Sequence, residues 1–174
     1  MSKLQPDWRQ IAGFAIQEDG SMGIVWLTHD TEWDVVRVHH AVAFKRAVLA
    51  VVAGELNRKP WIPVAWENKE FCDTLLNDYR CNMLRDRSLD TPAAAERLTN
   101  EIWERMETGR FKISPTSDEY IHEQKGYNRL QAKLPRQTHP LMAATRHAID
   151  QLPYARTEKS TGKTKIMYPK VSIA

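Results

Sequence analysis

A chain of 174 residues with 42% hydrophobic and 27% charged residues suits one globular domain with a substantial core. Its formal charge of +3 and pI near 8.9 place any nucleic-acid contact on a local basic surface, since bulk charge is too small to supply it. Cys72 and Cys81 lack CxxC spacing and read as reduced packing thiols, and residues 47–53, the longest apolar run, fall far short of the ~20 residues that span a bilayer. The opening MSKLQPDWRQ has no apolar core of signal-peptide length, so a cytoplasmic setting without membrane insertion is the expectation.

Residues 11–17 read as a buried strand, followed by Glu18, Asp19, Gly20 and Ser21, whose Asp-Gly pair suits a tight hairpin turn. Residues 22–28 form the return strand, and the β-branched run in WDVVRVHHAVAF predicts a third. Residues 45–57 place Val48, Leu49, Val52 and Leu56 at helical spacing, and Pro60 stops that helix before the short apolar strand WIPVAW. Residues 68–79 set Phe71, Leu75 and Tyr79 on one face of a second helix, with CNMLRD a candidate short strand. Thr91 and Pro92 start the clearest helix; Leu98, Ile102 and Met106 continue one face of it, and Gly109 sits at its C-terminal cap. RFKIS is a further small strand, and residues 118–129 a polar helix or irregular arm. The last helix begins near residues 138–140, buries Leu141, Ala144, Ala148 and Leu152, and ends at Pro153. The domain is drawn at 1–157, with 158–174 a basic flexible tail. Three antiparallel strands, a helix, a parallel strand and further helices make the element order of an RNase H-like α/β domain, a mixed sheet flanked by helices.

Several segments carry a resemblance to one family. RMETGRFKI at 105–113 is similar to a helix end and strand that usually read RMxTGRxKV, and LMAATRHAIDQLPYART at 141–157 resembles LLSATRYALxxLRxART. WIPVAW and CNML match further segments of the same family, the nuclease domain of bacteriophage terminase large subunits, across most of residues 9–157. That resemblance implies an RNase H-like fold and a role in viral DNA packaging. Family members carry the domain behind an ATPase; STGKTK at 160–165 lacks the first glycine of GxxxxGK[ST] and a preceding buried strand, so no ATP site is expected.

The resemblance also implies where a nuclease of this kind would hold two divalent metals, which need hard oxygen ligands. The family reads GFD where this chain has Gly13, Phe14 and Ala15, and a methyl group cannot ligate metal. Just after WIPVAW the family places an acid, where this chain runs Glu67, Asn68, Lys69, Glu70; Lys69 at the site would repel metal. The family's paired aspartates before the last helix are replaced by His139 and Pro140. Glu67, Glu70 and His139 are the residual candidate ligands, with Glu18 and Asp19 assigned to the hairpin turn. Read without the resemblance, Glu67 and Glu70 are helix-start acids and His139 a helix cap.

The expectation is therefore a phage or prophage protein of degenerate nuclease type, without cofactor, acting by binding DNA, packaging machinery or a host defence protein in a bacterial cytoplasm. The alternative is a divergent endonuclease using Mg²⁺ or Mn²⁺. Arg129, Lys133, Arg136, Lys159, Lys163 and Lys165 are the candidate DNA contacts, with Arg80, Arg85, Arg87 and Lys170 beside them in the basic clusters. His39 and His40 are adjacent in a strand and so expected on opposite faces, which argues against a shared ion. His29, His122 and His147 are read as isolated, and of six tryptophans Trp8 and Trp33 are expected to be the exposed ones.

Overall fold

The structure is a computed structural model that describes residues 7–66, 68–84, 91–127 and 139–158. Strands β1 (Arg9–Ile16), β2 (Met22–Asp30) and β3 (Val35–Phe44) form an antiparallel meander. Asp19 closes the first turn by accepting hydrogen bonds from the Ser21 backbone N–H (2.9 Å) and hydroxyl (2.7 Å), and Gly20 takes the left-handed φ of 83° that the turn requires. The second turn needs the same region at Asp34, φ 49°.

Helix α1 (Leu49–Leu56) then crosses to β4 (Val64–Ala65), which pairs parallel to β1, and β5 (Phe111–Ile113) pairs parallel to β3 on the far edge. The sheet order is β4-β1-β2-β3-β5. This is the RNase H-like mixed sheet the element order predicted.

Side-chain alternation splits the core into two. Ile11, Ala15, Val25, Leu27, Val36 and Val38 point to one face, covered by α5 (Pro140–Asp150) and α3 (Pro92–Glu107). Ala12, Phe14, Ile24 and Trp26 point to the other, covered by α1 and α2 (Lys69–Asn77). Helix α5 lies very close to the sheet: a Cβ on Gly13 would stand 1.9 Å from the Ala144 carbonyl oxygen, and one on Gly23 would stand 2.6 Å from the Pro140 carbonyl. Only glycine permits that approach.

The helix starts follow local chemistry. Thr91 accepts from the Ala94 N–H (3.1 Å) with Pro92 in the first turn of α3, and Asn68 accepts from the Phe71 N–H (3.3 Å) to open α2. Gly109 takes φ 72° just past α3, as its position suggested. The short helix α4 (Asp118–Gly126) resolves the choice between polar helix and arm in favour of helix.

Five expectations change. Val48 precedes α1 and is 68% exposed, because the helix begins one residue later and turns its buried stripe, Val52, Ala53 and Leu56, inward. Tyr79 lies beyond the end of α2, where the chain reverses at Arg80 with φ 57°, so Cys72 and Leu75 form the buried face. Segment 82–84 makes only an isolated bridge, Val64 to Met83, flanking β4. Helix α5 stops at Asp150, and Leu152–Tyr154 continues as a 3-10 turn containing Pro153. Trp33 is exposed as expected, whereas Trp8 is half-buried with the Arg37 guanidinium 5.0 Å above its ring. No described helix is long and apolar enough to cross a membrane.

Candidate functional site

Because β1 and β4 run parallel, the end of β1, the segment after β4 and the start of α5 fall toward one end of the sheet. Ala15 pairs across the ladder with Gly23, against which the Pro140 backbone packs. Its methyl is 0% exposed and belongs to the apolar cluster beneath α5. Lys69 opens α2 and ion-pairs with Asp73 one turn on, with 71% of its side chain exposed. Glu70 is an exposed acid in the first turn of the same helix, whose N-terminal N–H groups favour it. Glu67 lies outside the described residues, as do Arg85, Arg87, Arg129, Lys133, Arg136, Lys159, Lys163, Lys165 and Lys170.

His139 and Pro140 border a cavity of about 1050 Å³ at this end of the molecule. The turn residues Asp19 and Ser21 line it, together with Ala43, Phe44, Lys45 and Arg46 at the end of β3, and Glu119, His122 and Glu123 on α4. His139 occupies the position before α5, yet its side chain makes no capping hydrogen bond. Its ring packs edge-on against Tyr127 with centroids 5.1 Å apart, and burial beside the Arg146 cation holds its pKa below the usual value. Tyr127 is itself fixed by Arg146, whose Nη1 donates to the phenol oxygen at 2.6 Å.

The cap of α5 comes instead from Glu123. Its carboxylate accepts from the Met142 N–H at 2.8 Å, one of the donors that the first turn of a helix leaves unpaired. Burial pushes the Glu123 pKa up to about 7, against the backbone N–H groups of Met142 and Leu141, which pull it back. One turn earlier on α4, Glu119 accepts from the Ala43 N–H at 3.0 Å and so blunts the free edge of β3 beyond its pairing with β5. Sequence reasoning passed over both acids. Their signal was the four-residue spacing of Glu119 and Glu123 on one helical face.

It also passed over Asp34. The Asp34 carboxylate receives His29 Nε2 (3.0 Å), Arg105 Nη1 (3.1 Å) and Arg110 Nη1 (2.9 Å), and its carbonyl accepts from Arg105 at 3.2 Å. Arg105 is only 8% exposed. The two arginines of RMETGR therefore clamp the β2–β3 turn to the junction of α3 and β5, and His29 is bonded to Asp34, not isolated. His147 is buried inside α5.

A two-metal site needs several charged oxygens converging on one point. Ala15 offers none, Lys69 offers a cation, and His139–Pro140 offers one imidazole; these positions do not fit such a centre. Among the described residues no three His, Cys, Asp or Glu side chains come together as a ligand set.

No protein-family model matches the sequence, and comparison with curated protein sequences finds no match. Solved structures do resemble it in fold. The P22 large terminase nuclease domain superposes with a TM-score of 0.80 at 19% identity, covering 92% of this chain and 90% of that one. The large terminase nuclease domain of bacteriophage SPP1, solved with bound Mn, gives 0.62 at 14% identity over 82% of this chain and 86% of its own. The human cytomegalovirus terminase nuclease domain, Mn soaked, gives 0.57 at 12% identity, covering 90% and 92%. The chain thus has the RNase H-like fold of terminase nuclease domains, as the resemblance in its motifs implied.

Proposed function

We propose that this chain is a phage or prophage protein that has kept a terminase-nuclease scaffold and acts by binding, not by cutting. One observation carries the reading: Ala15, at the position where the resemblance implies the first metal ligand, is a fully buried methyl packed under α5. A carboxylate there would have to be desolvated among apolar neighbours, whereas metal ligation needs it open to ion and substrate. Its replacement by a methyl is accompanied by Lys69 and by His139–Pro140 at the other two implied positions.

The partners that fit this reading are DNA, packaging machinery or a host defence protein, met in the cytoplasm of an infected or lysogenic bacterium. Arg129, Lys133, Arg136, Lys159, Lys163 and Lys165 are the residues assigned to DNA phosphates; neutralising them is expected to weaken duplex binding and flatten its salt dependence. No ATP or other cofactor is required.

A second reading has a specific observation in its favour. The SPP1 and cytomegalovirus domains of similar fold were solved with Mn, and Glu67, Glu70 and His139 stand in this sequence as the residual candidate ligands. On that reading the chain is a divergent Mg²⁺- or Mn²⁺-dependent endonuclease.

Supercoiled-plasmid nicking in Mn²⁺ separates the two. The binding reading expects no nicking above a metal-free control, alongside salt-dependent retention of duplex DNA or co-purification of a protein partner. Nicking that disappears in both Glu67→Ala and His139→Ala would establish the endonuclease instead.

A further inference from the structure

The turn between β2 and β3 carries the one tryptophan of six that stands in solvent: Trp33 is 70% exposed, and the other five are buried or half-buried. The turn holds it rigidly. Asp30 Oδ1 accepts from the N–H groups of Glu32 (3.1 Å) and Trp33 (3.4 Å), and His29, Arg105 and Arg110 fix Asp34 in the left-handed region at φ 49°. A non-glycine residue held at positive φ stores strain that the rest of the fold must offset. An aromatic ring on a turn that is already ordered gives up little further entropy on docking, which is the property of an interface anchor.

A recess of matching size opens on the sheet face turned away from α5. The ladder between β2 and β3 slips beside Trp26: Trp26 pairs with His40 and Leu27 with Val38, which leaves His39 as the extra residue of a bulge. A bulge breaks the alternation of side chains. His39 and His40, expected on opposite faces, therefore line one cavity of about 280 Å³ with Trp26, and with Glu55, Arg58 and Lys59 at the end of α1. The His40 ring packs on Trp26 at a centroid distance of 4.9 Å. Small-molecule pockets run to ~300–1,000 Å³, so this smaller volume suits one large side chain.

Charge selects the occupant. At the recess Glu55 is matched by Arg58 at 2.9 Å, whereas no carboxylate pairs with Lys59 among the described residues. Burial first, then the Lys59 and His40 charges, hold the His39 pKa down to about 4, so the recess carries a positive field. At the turn, Glu32 is exposed and pairs with no cation among the described residues, while Arg105 and Arg110 are spent on Asp34, Glu101 and Glu104. An anionic tip complements a cationic recess, and the same tip repels a DNA backbone. Six positions of chain separate Trp33 from His39, roughly 20 Å at strand rise, so a two-fold axis between them lets two copies engage at both ends at once.

We propose that the chain pairs with a second copy of itself, each Trp33 entering the recess of the other copy beside His40 while Glu32 meets Lys59. One tryptophan buries ~150–250 Å², so two anchors fall well short of a standard interface of ~1,600 Å² and the pairing is weak and concentration-dependent. The surface is separate from Ala15 and α5, and the pairing does not depend on whether the protein cuts DNA.

Sedimentation equilibrium of the full chain, from roughly 10 µM to 1 mM, reads the association. A monomer–dimer equilibrium is expected, weakened about 30-fold or more in Trp33→Ala and about tenfold in Lys59→Glu. Combining Glu32→Lys with Lys59→Glu is expected to restore the pairing that each change alone weakens. Trp33 and Glu32 are exposed, so replacing them leaves the fold intact, which circular dichroism checks. In wild type the Trp33 indole N–H resonance is expected to shift with protein concentration. A monomer at every concentration, a dimer of unchanged affinity in Trp33→Ala, or growth past a dimer overturns the proposal. An indole that moves with a single-stranded oligonucleotide but not with protein concentration overturns it too, and assigns Trp33 to nucleic acid. Each of these outcomes leaves the reading of Ala15 untouched.

Discussion

The two faces of the sheet handle close packing in opposite ways. Toward α5 the strands present Gly13, Ala15 and Gly23, and the helix backbone settles almost onto the sheet. Toward α1 the same strands carry large side chains, Phe14, Ile24 and Trp26, then give way at one end to the polar row Gln10, Thr28 and Arg37. One face has no room for an added group, and the other holds buried polar atoms that find no hydrogen-bond partner among the described residues.

The comparison breaks first at Ala15. Ala15→Asp puts a carboxyl at a fully buried position, and raising its folded-state pKa by ~3 units corresponds to about 4 kcal/mol lost at neutral pH. The sign follows from linkage: with the folded pKa raised, the protonated form is tolerated, so the loss grows as pH rises through the unfolded value of ~4 toward the folded one. Urea melts at pH 4 and at pH 7 check it; a variant as stable as wild type at neutral pH, and able to bind Mn²⁺, would show that the position is open.

Gly13→Ala comes next. Its Cβ would meet the Ala144 carbonyl at 1.9 Å, so α5 must lift, at a cost of about 3 kcal/mol by chemical denaturation. Asp34→Ala removes the acceptor shared by His29, Arg105 and Arg110, and because the carboxylate is 44% exposed and water screens it, a loss of roughly 1–2 kcal/mol is expected. Glu123→Gln keeps an oxygen for the Met142 N–H but removes the titration. Since the folded pKa is about 7 against an ordinary 4.5, wild type loses stability as pH rises through that window, and the variant should show a flatter profile in thermal melts. The smallest effect is expected on the other face: Thr28→Val changes stability by less than about 1 kcal/mol or raises it, because the hydroxyl it removes has no partner among the described residues. A large loss there would mean that the polar row is internally satisfied.

The meander was legible in the sequence because the apolar run at 11–17, the Asp-Gly turn after it and the β-branched run of the third strand report buried strands and a hairpin whatever lies beyond them, and Thr91, Pro92 and Gly109 delimited α3 by chemistry confined to one turn. The positions of Ala15 and His139 relative to α5 followed from motif resemblance. Residues whose role depends on a distant partner were not legible. His39 sits in a register slip that only pairing with β2 creates, and Glu123 caps a helix that begins seventeen residues later in the chain. Asp34 looked like an ordinary turn acid, although its partners Arg105 and Arg110 stood in view inside a recognised motif.

That Asp34 clamp has a kinetic consequence. Arg105 and Arg110 reach it across 71 and 76 positions of chain, and β5 joins β3 over a similar span. The meander closes through local hairpins, whereas the clamp must wait for a long loop to find its ends, so the β2–β3 turn is expected to form early and lock late. Folding followed at Arg105 should lag folding followed at Trp26, and Asp34→Ala should mainly speed unfolding while leaving the refolding rate little changed.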